Sequence, residues 1–220
     1  MYRPPAFAED DPAALAAILA ETRLATLIAV VDGAPVADHV PVLFDPGRGR
    51  HGTLSGHLAR ANRQAAPAAD GRPVLVAVLG PEAYVSPSFY PTKRDTGRVV
   101  PTWNYVAVHA HGRIRLFDDA GRLLALVTAL TDRHEAGRTD RWKVSDAPED
   151  FVRAQLRGIV GFEIEIERLE GKRKLSQNRT AEDRAGVVTG LAASEDPRDL
   201  AVAAACVRPS MPVDAARRAP

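Results

Sequence analysis

Cysteine is nearly missing from this chain of 220 residues, where Cys206 stands alone. One thiol excludes an internal disulfide framework and any zinc site built from several cysteines. Set among alanines near the C-terminus, it reads as a small apolar filler. No stretch approaches the ~18 consecutive apolar residues that a membrane-spanning helix needs. The opening MYRPPAFAEDD also lacks the basic-then-apolar order of a secretory signal. A soluble cytoplasmic protein with no membrane partner is therefore expected. Charge of one sign is scarce too: 29 Lys and Arg against 28 Asp and Glu leave a net +1. Affinity for nucleic acid cannot rest on so weak a global field.

Several motifs are missing as well. There is no Gly-Lys-Ser/Thr phosphate loop and no Gly-x-Ser-x-Gly nucleophile elbow, and His134-Glu135 lacks the second histidine of a zinc protease. No helix-turn-helix pattern, zinc finger, basic arm or internal repeat is visible. No catalytic residue stands out, although His39 and His109 remain candidates for acid–base work. His109 and His111 lie on one side of a strand, but with no acidic residue or third ligand beside them in the sequence no metal is expected.

What is present is alternation. From Thr102 to Phe117 small or apolar residues (Val106, Val108, Ala110, Gly112, Ile114, Leu116) alternate with Trp103, Tyr105, His109, His111, Arg113 and Arg115. A period of two is the mark of a half-buried strand. One face packs into a core; the other suits a planar anionic ligand, a partner subunit or plain solvent. Further strands are expected at 24–31, 35–44, 52–55, 73–79 and 160–169, with a tight hairpin at Asp32-Gly33. Helices are expected after Asp10 or Asp11, from His57, over 122–130, after Ser145 or Asp146, and from about Thr180. A long loop fills 80–101. Many short strands and few helices give a mainly β, α+β chain with peripheral helices, built as a small barrel or rolled sheet. One domain over 1–192 is expected, followed by a partly flexible C-terminal extension over 193–220.

Polar groups gather at four places. Ser55-Gly56-His57, with Arg60 and Asn62, reads as a turn opening a helix whose free N–H groups face an anion, or else as an ordinary capped surface helix. Tyr84–Lys93 and Pro101-Thr102-Trp103-Asn104 offer flat rings and an amide suited to a heterocycle edge, or to a subunit interface. EGKRKLSQN, with Lys174, Ser176, Gln177 and Asn178, is a cationic rim segment suited to phosphate or a partner, or a solvated loop.

These stretches together resemble one family. MYRPPAF, LSGHLARAN, GPEAYVSPSFYPTKR, GRVVPTWNYVAVHAHGRIR, LTDRHE, VSDAPEDF, IVGFEIEIERLEGKRKLSQN and DRAGVVTGL follow in order over residues 1–191, as in the PaiB-like family of FMN-binding negative transcriptional regulators. The resemblance implies an FMN-binding split β-barrel, a homodimer with flavin at the subunit interface, and repression of transcription. It implies that Ser55, His57, Arg60 and Asn62 meet the FMN phosphate and ribityl chain. Pro101, Thr102, Trp103 and Asn104 would border the isoalloxazine, with Lys174, Ser176, Gln177 and Asn178 at its rim or reaching in from the partner. Arg63, Phe89 and Arg173 depart from the family's usual residues and put the fine shape of the pocket in question. DNA contact would be direct, through a local patch such as Lys172–Lys174, or through a partner protein. A flavin-dependent oxidoreductase on the same scaffold is the alternative, and a dimeric scaffold with a decayed flavin site a third reading.

Overall fold

The computed structural model describes residues 1–207. Eight strands form one sheet in the order β3-β2-β6-β7-β8-β5-β4, with β1 added on β8. The strands are β1 Ala8–Glu9, β2 Leu24–Val31, β3 Ala34–Pro41, β4 Leu43–Asp45, β5 Thr53–Ala59, β6 Pro73–Val85, β7 Thr102–Phe117 and β8 Ile159–Lys174. The helices are α1 Pro12–Glu21, α2 Lys93–Thr96, α3 Ala120–Glu135, α4 Glu149–Leu156, α5 Ala181–Ala192 and α6 Pro197–Val207. No helix among the described residues is long and apolar enough to cross a membrane.

The described residues group into two compact units. The first holds 1–18, 79–108 and 170–207; the second holds 19–78 and 109–169. In the second unit the hairpin behaves as read: Asp32 and Gly33 have φ of 52° and 79°, and Val31 pairs with Ala34. Two positive φ values in a two-residue turn match the twist of the flanking strands. β5 lies between β4 and β8, all antiparallel. Leu27, Leu54, Val76, Ile114, Phe162, Ile164 and Ile166 are fully buried there, with Leu123 and Leu130 of α3.

The first unit has its own core, in which Ala83, Val85 and Tyr90 join Val106, Leu175, Val187, Leu191, Val202 and Ala203. Phe89 packs against α5 where Gly186 and Gly190 stand; a Cβ at either would collide with it. Thr92 donates to the buried Asp183 carboxylate through both N–H and hydroxyl, at 2.8–3.2 Å, and so ties the 86–97 segment to α5.

Four expectations need correction. Residues 53–59 are a strand, not the start of a helix. Leu54, Gly56 and Leu58 alternate inward and pair with β8, with Thr53–Ser55 pairing β4 as well, whereas the helix formers of ARANRQAA make only 3-10 turns at Arg63–Ala65 and Pro67–Ala69. β6 runs on through Gly80 and Pro81 to Val85, which shortens the expected long loop. The strand expected over 35–44 is broken at Val42, whose side chain is fully buried. α5 starts where expected, with the Thr180 hydroxyl accepting from Asp183 N–H, but it is not the last helix. Of the extension expected over 193–220, residues 197–207 form α6, and 208–220 lie outside the described residues.

Candidate functional site

The first unit brings most of the expected ring-binding residues together. Asn104, fully buried on β7, is pinned by Ser176: the Ser176 hydroxyl lies 3.0 Å from Asn104 Nδ2 and 3.2 Å from Oδ1. A buried amide left unpaired costs about 1–3 kcal/mol, so this pair fixes the start of β7 against the turn after β8. Ser176 holds φ at 65°, an unusual conformation for a non-glycine residue that costs ~1 kcal/mol or more unless its surroundings impose it. Gln177 shapes the same turn by accepting from Leu175 N–H at 2.7 Å and donating to the Arg173 carbonyl.

Lys174 closes the arrangement. Its Nζ donates to the Thr102 hydroxyl and, at 2.7 Å, to the Trp103 carbonyl. Burial pushes its pKa down, and the neighbouring Lys172 and Arg179 push it the same way. Trp103 remains 52% exposed and meets Tyr84 edge to face, with ring centroids 6.2 Å apart. Pro101 and Asn178 are exposed, and the Asn178 side chain makes no hydrogen bond among the described residues.

Four neighbours of these residues were not singled out as contacts in the sequence, although Tyr84 and Lys172 lie in two of the segments named there. Lys172 lies between the rings of Tyr2 and Tyr105, at 5.5 and 5.2 Å from their centroids, and donates to the Tyr2 carbonyl at 3.0 Å. Arg179 covers the Tyr90 ring at 4.7 Å. Cys206, read as filler, has its sulfur 3.9 Å from Asn104 Nδ2, and burial raises its thiol pKa. Tyr84 completes the set. A signal was available for Lys172: two residues before Lys174 on a strand, it shares that residue's face.

The second unit holds the other expected group. Ser55 and His57 share one face of β5 and stand opposite Glu163 and Gly161 of β8. His57 Nδ1 is buried without a partner, and burial pushes the imidazole pKa down. Its ring lines a cavity of about 280 Å³ with Val127, Trp142, Phe151 and Leu156. Arg60 is committed to backbone, donating to the carbonyls of Arg157 at 2.8 Å and Ile159 at 3.0 Å, with Asp118 at 3.6 Å. Asn62 caps the turn that follows by accepting from Gln64 N–H at 2.8 Å. With β5 in place of a helix, the N–H groups expected to face an anion are ladder groups instead. A larger groove of about 840 Å³ runs along α3 and α4 between Leu124, Val144, Val152 and Leu156, and no expected site residue lines it.

A family model described as "Putative FMN-binding domain" matches residues 1–168. An uncharacterized protein of Emericella nidulans is 37% identical over 185 residues, 70% of this chain and 74% of its own length. The protease synthase and sporulation protein PAI 2 of Bacillus subtilis is 31% identical over 197 residues, 90% of this chain and 92% of its own. Among solved structures, the flavocytochrome Anf3 of Azotobacter vinelandii is similar with a TM-score of 0.55 and 18% identity, over 81% of this chain and 74% of that one. The FAD and heme binding protein of Mycobacterium smegmatis gives 0.53 and 21%, over 79% and 76%. At these identities the likeness establishes the fold, an antiparallel α+β split barrel.

Proposed function

This chain belongs to that family of FMN-binding domains, and on that premise we propose that it is a flavin-dependent negative regulator of transcription acting as a homodimer. Its cofactor is FMN. The groups of the first unit fit a flavin: Trp103 and Tyr84 present exposed ring faces, Thr102, Ser176 and Asn178 present polar groups, and Lys174 presents a cation. Apolar body with a few fixed polar groups is the usual composition of a cofactor site. Bound FMN supplies an isoalloxazine that accepts one or two electrons.

The chain's own residues bind and orient. Asn104 and Ser176 hold the entry of β7 and the 175–178 turn in one geometry, so that Pro101-Thr102-Trp103 and Lys174-Leu175-Ser176-Gln177-Asn178 form one surface. Lys174 fastens that surface through Thr102 and Trp103 and holds positive charge at its edge. The observation that carries this placement is the exposed aromatic pair beside Lys172, Lys174 and Arg179, which have no carboxylate partner among the described residues. Ser55 and His57 are offered as further flavin contacts on the strength of the family motif.

Two observations support the rest. Leu79, Tyr84, Val100 and Trp103 are 48–67% exposed within the first unit, more large apolar surface than solvent contact favours and suited to a second copy. The regulatory role is supported by the likeness to PAI 2 over nearly the full length of both chains. Purified protein reconstituted with FMN should be yellow and should sediment at twice the chain mass of 23.6 kDa. It should retard its own upstream DNA in a gel shift at low salt, directly or with a partner protein present. A colourless protein after reconstitution defeats the flavin assignment. Bleaching of bound flavin by NADH or NADPH without air would instead favour the oxidoreductase.

A further inference from the structure

The strand end and turn over 172–179 hold four cations, and three of them, Lys172, Lys174 and Arg179, form no ion pair with a carboxylate among the described residues. Lys172 is the most demanding of them, only 7% exposed. A lysine offers three N–H donors; one goes to the Tyr2 carbonyl, and the two tyrosine rings supply no counter-charge. Burying an ammonium without an opposite charge costs several kcal/mol. Carboxylates are supplied on β8 and next to it where charge is neutralised. Arg173, between the two lysines on the opposite face, lies 3.9 Å from the buried Glu9, and Glu170, the next residue along the lysine face, is taken by the Met1 amino group.

We infer that Lys172 and Lys174 form a binding site for an oxyanion of the phosphate class. Residues two apart on a strand stand ~6.5 Å apart on one face, a spacing that lets two ammonium groups straddle one tetrahedral oxyanion. Tyr105 and Trp103 stand at the matching alternate positions of β7, so the oxyanion sits beside aromatic surface. A ligand with a planar body and a phosphate suits such a place. In one form the inference rests on the flavin reading, since FMN carries its own phosphate. In the other the oxyanion belongs to a separate small anion beside the flavin. The burial of Lys172 disfavours a duplex DNA backbone, which needs an accessible cation.

The test titrates the full chain with FMN, with riboflavin, and with inorganic phosphate. If the oxyanion is FMN's own, the wild-type chain prefers FMN to riboflavin by about tenfold or more. Lys172→Gln then abolishes that preference, lowering FMN affinity more than riboflavin affinity. If the oxyanion is separate, FMN and riboflavin bind alike, and inorganic phosphate shifts the visible spectrum of the bound flavin in wild type but not in K172Q. Either result supports the site. Lys174→Gln, at a half-buried position, serves if K172Q does not fold, and Lys93→Gln on exposed α2 is the charge control. Should neither flavin bind, the flavin reading fails. The oxyanion site is then judged by whether phosphate raises the melting temperature of wild type and not of K172Q. The inference is overturned if no phosphate effect, free or on FMN, is lost in K172Q or K174Q beyond the K93Q control.

Discussion

In the second unit, on and around its strands, arginines tend to meet an acid. Arg48 and Arg122 share Glu163, Arg113 faces Glu167, Arg115 faces Asp70, and Arg63 faces Asp32. In the first unit Lys172, Lys174 and Arg179 meet no acid among the described residues, whereas Arg173 lies near Glu9, and these three face carbonyls, a hydroxyl and ring faces instead. Paired charge of the first kind adds little beyond solubility and some local order. Unpaired, partly buried charge of the second kind is unfavourable by itself, and such positions concentrate where a ligand binds. On the proposed reading the two units differ in role: both are packed, and the first also presents the surface proposed to take a ligand.

That division can be broken most severely from the scaffold side. Phe162→Ala in the fully buried core of the second unit should cost about 3–5 kcal/mol in urea unfolding. The fraction that stays folded should keep its wild-type flavin affinity. Loss of flavin affinity in that fraction would erase the distinction. Next in size is Asn104→Ala, which leaves the buried Ser176 hydroxyl unpaired and frees the 175–178 turn. It should cost about 1–3 kcal/mol and, unlike the core variant, should release flavin from folded protein, read by fluorescence titration.

Acid sharpens the comparison. The Arg48 hydrogen bond, more than its charge or that of Arg122, holds the Glu163 carboxyl below its ordinary value of 4.5, against the effect of burial. A depressed carboxylate pKa contributes stability above its unfolded value, and that stability is lost as pH falls through the folded value. Stability should therefore drop below about pH 4.5 by up to ~1 kcal/mol, and Glu163→Gln should remove that component. Lys174 changes stability in the same direction with pH, but because its charged form is the one that the fold disfavours. Burial lowers its pKa from 10.5, so the apo protein should gain stability as pH rises through that lowered value towards 10.5, and Lys174→Met should flatten the slope. The smallest effect belongs to Arg63→Ala. Its pair with Asp32 is mostly solvent-exposed, and its loss should move stability by no more than about 0.5 kcal/mol.

How much of this was legible in the sequence depended on whether the deciding force was local. The alternation of β7 and the Asp32-Gly33 turn carry their own signals, and both elements formed where read. His57 did not, because good helix formers follow it while the partner that makes it a strand, Gly161 on β8, is far away in sequence. α6 went unread because its Ala-rich composition resembles a tail. Its start is nevertheless marked by the Asp196 carboxylate, which accepts from Arg198 N–H at 2.9 Å, and Val202 and Ala203 anchor it in the first unit's core. The Thr102–Asn104 and Lys174–Gln177 stretches, named from family motifs, stand side by side in the first unit. Lys172 lies in the second of those motifs, but no sequence pattern tells which of its cations a fold leaves without an acid. Arg60 and Asn62 illustrate the same limit in reverse: both are suited to phosphate by type, and both are committed to backbone.

The central claim is that the first unit carries the flavin through the turn pinned by Asn104 and Ser176. Its most direct test is the visible absorption of full-length protein after reconstitution with FMN and gel filtration, for wild type and Asn104→Ala side by side. The account predicts bound flavin near 450 nm (an approximate position set by the isoalloxazine itself) in wild type, and its loss in N104A while the far-ultraviolet circular dichroism is kept. A colourless wild type, or an N104A protein that stays equally yellow, would contradict it.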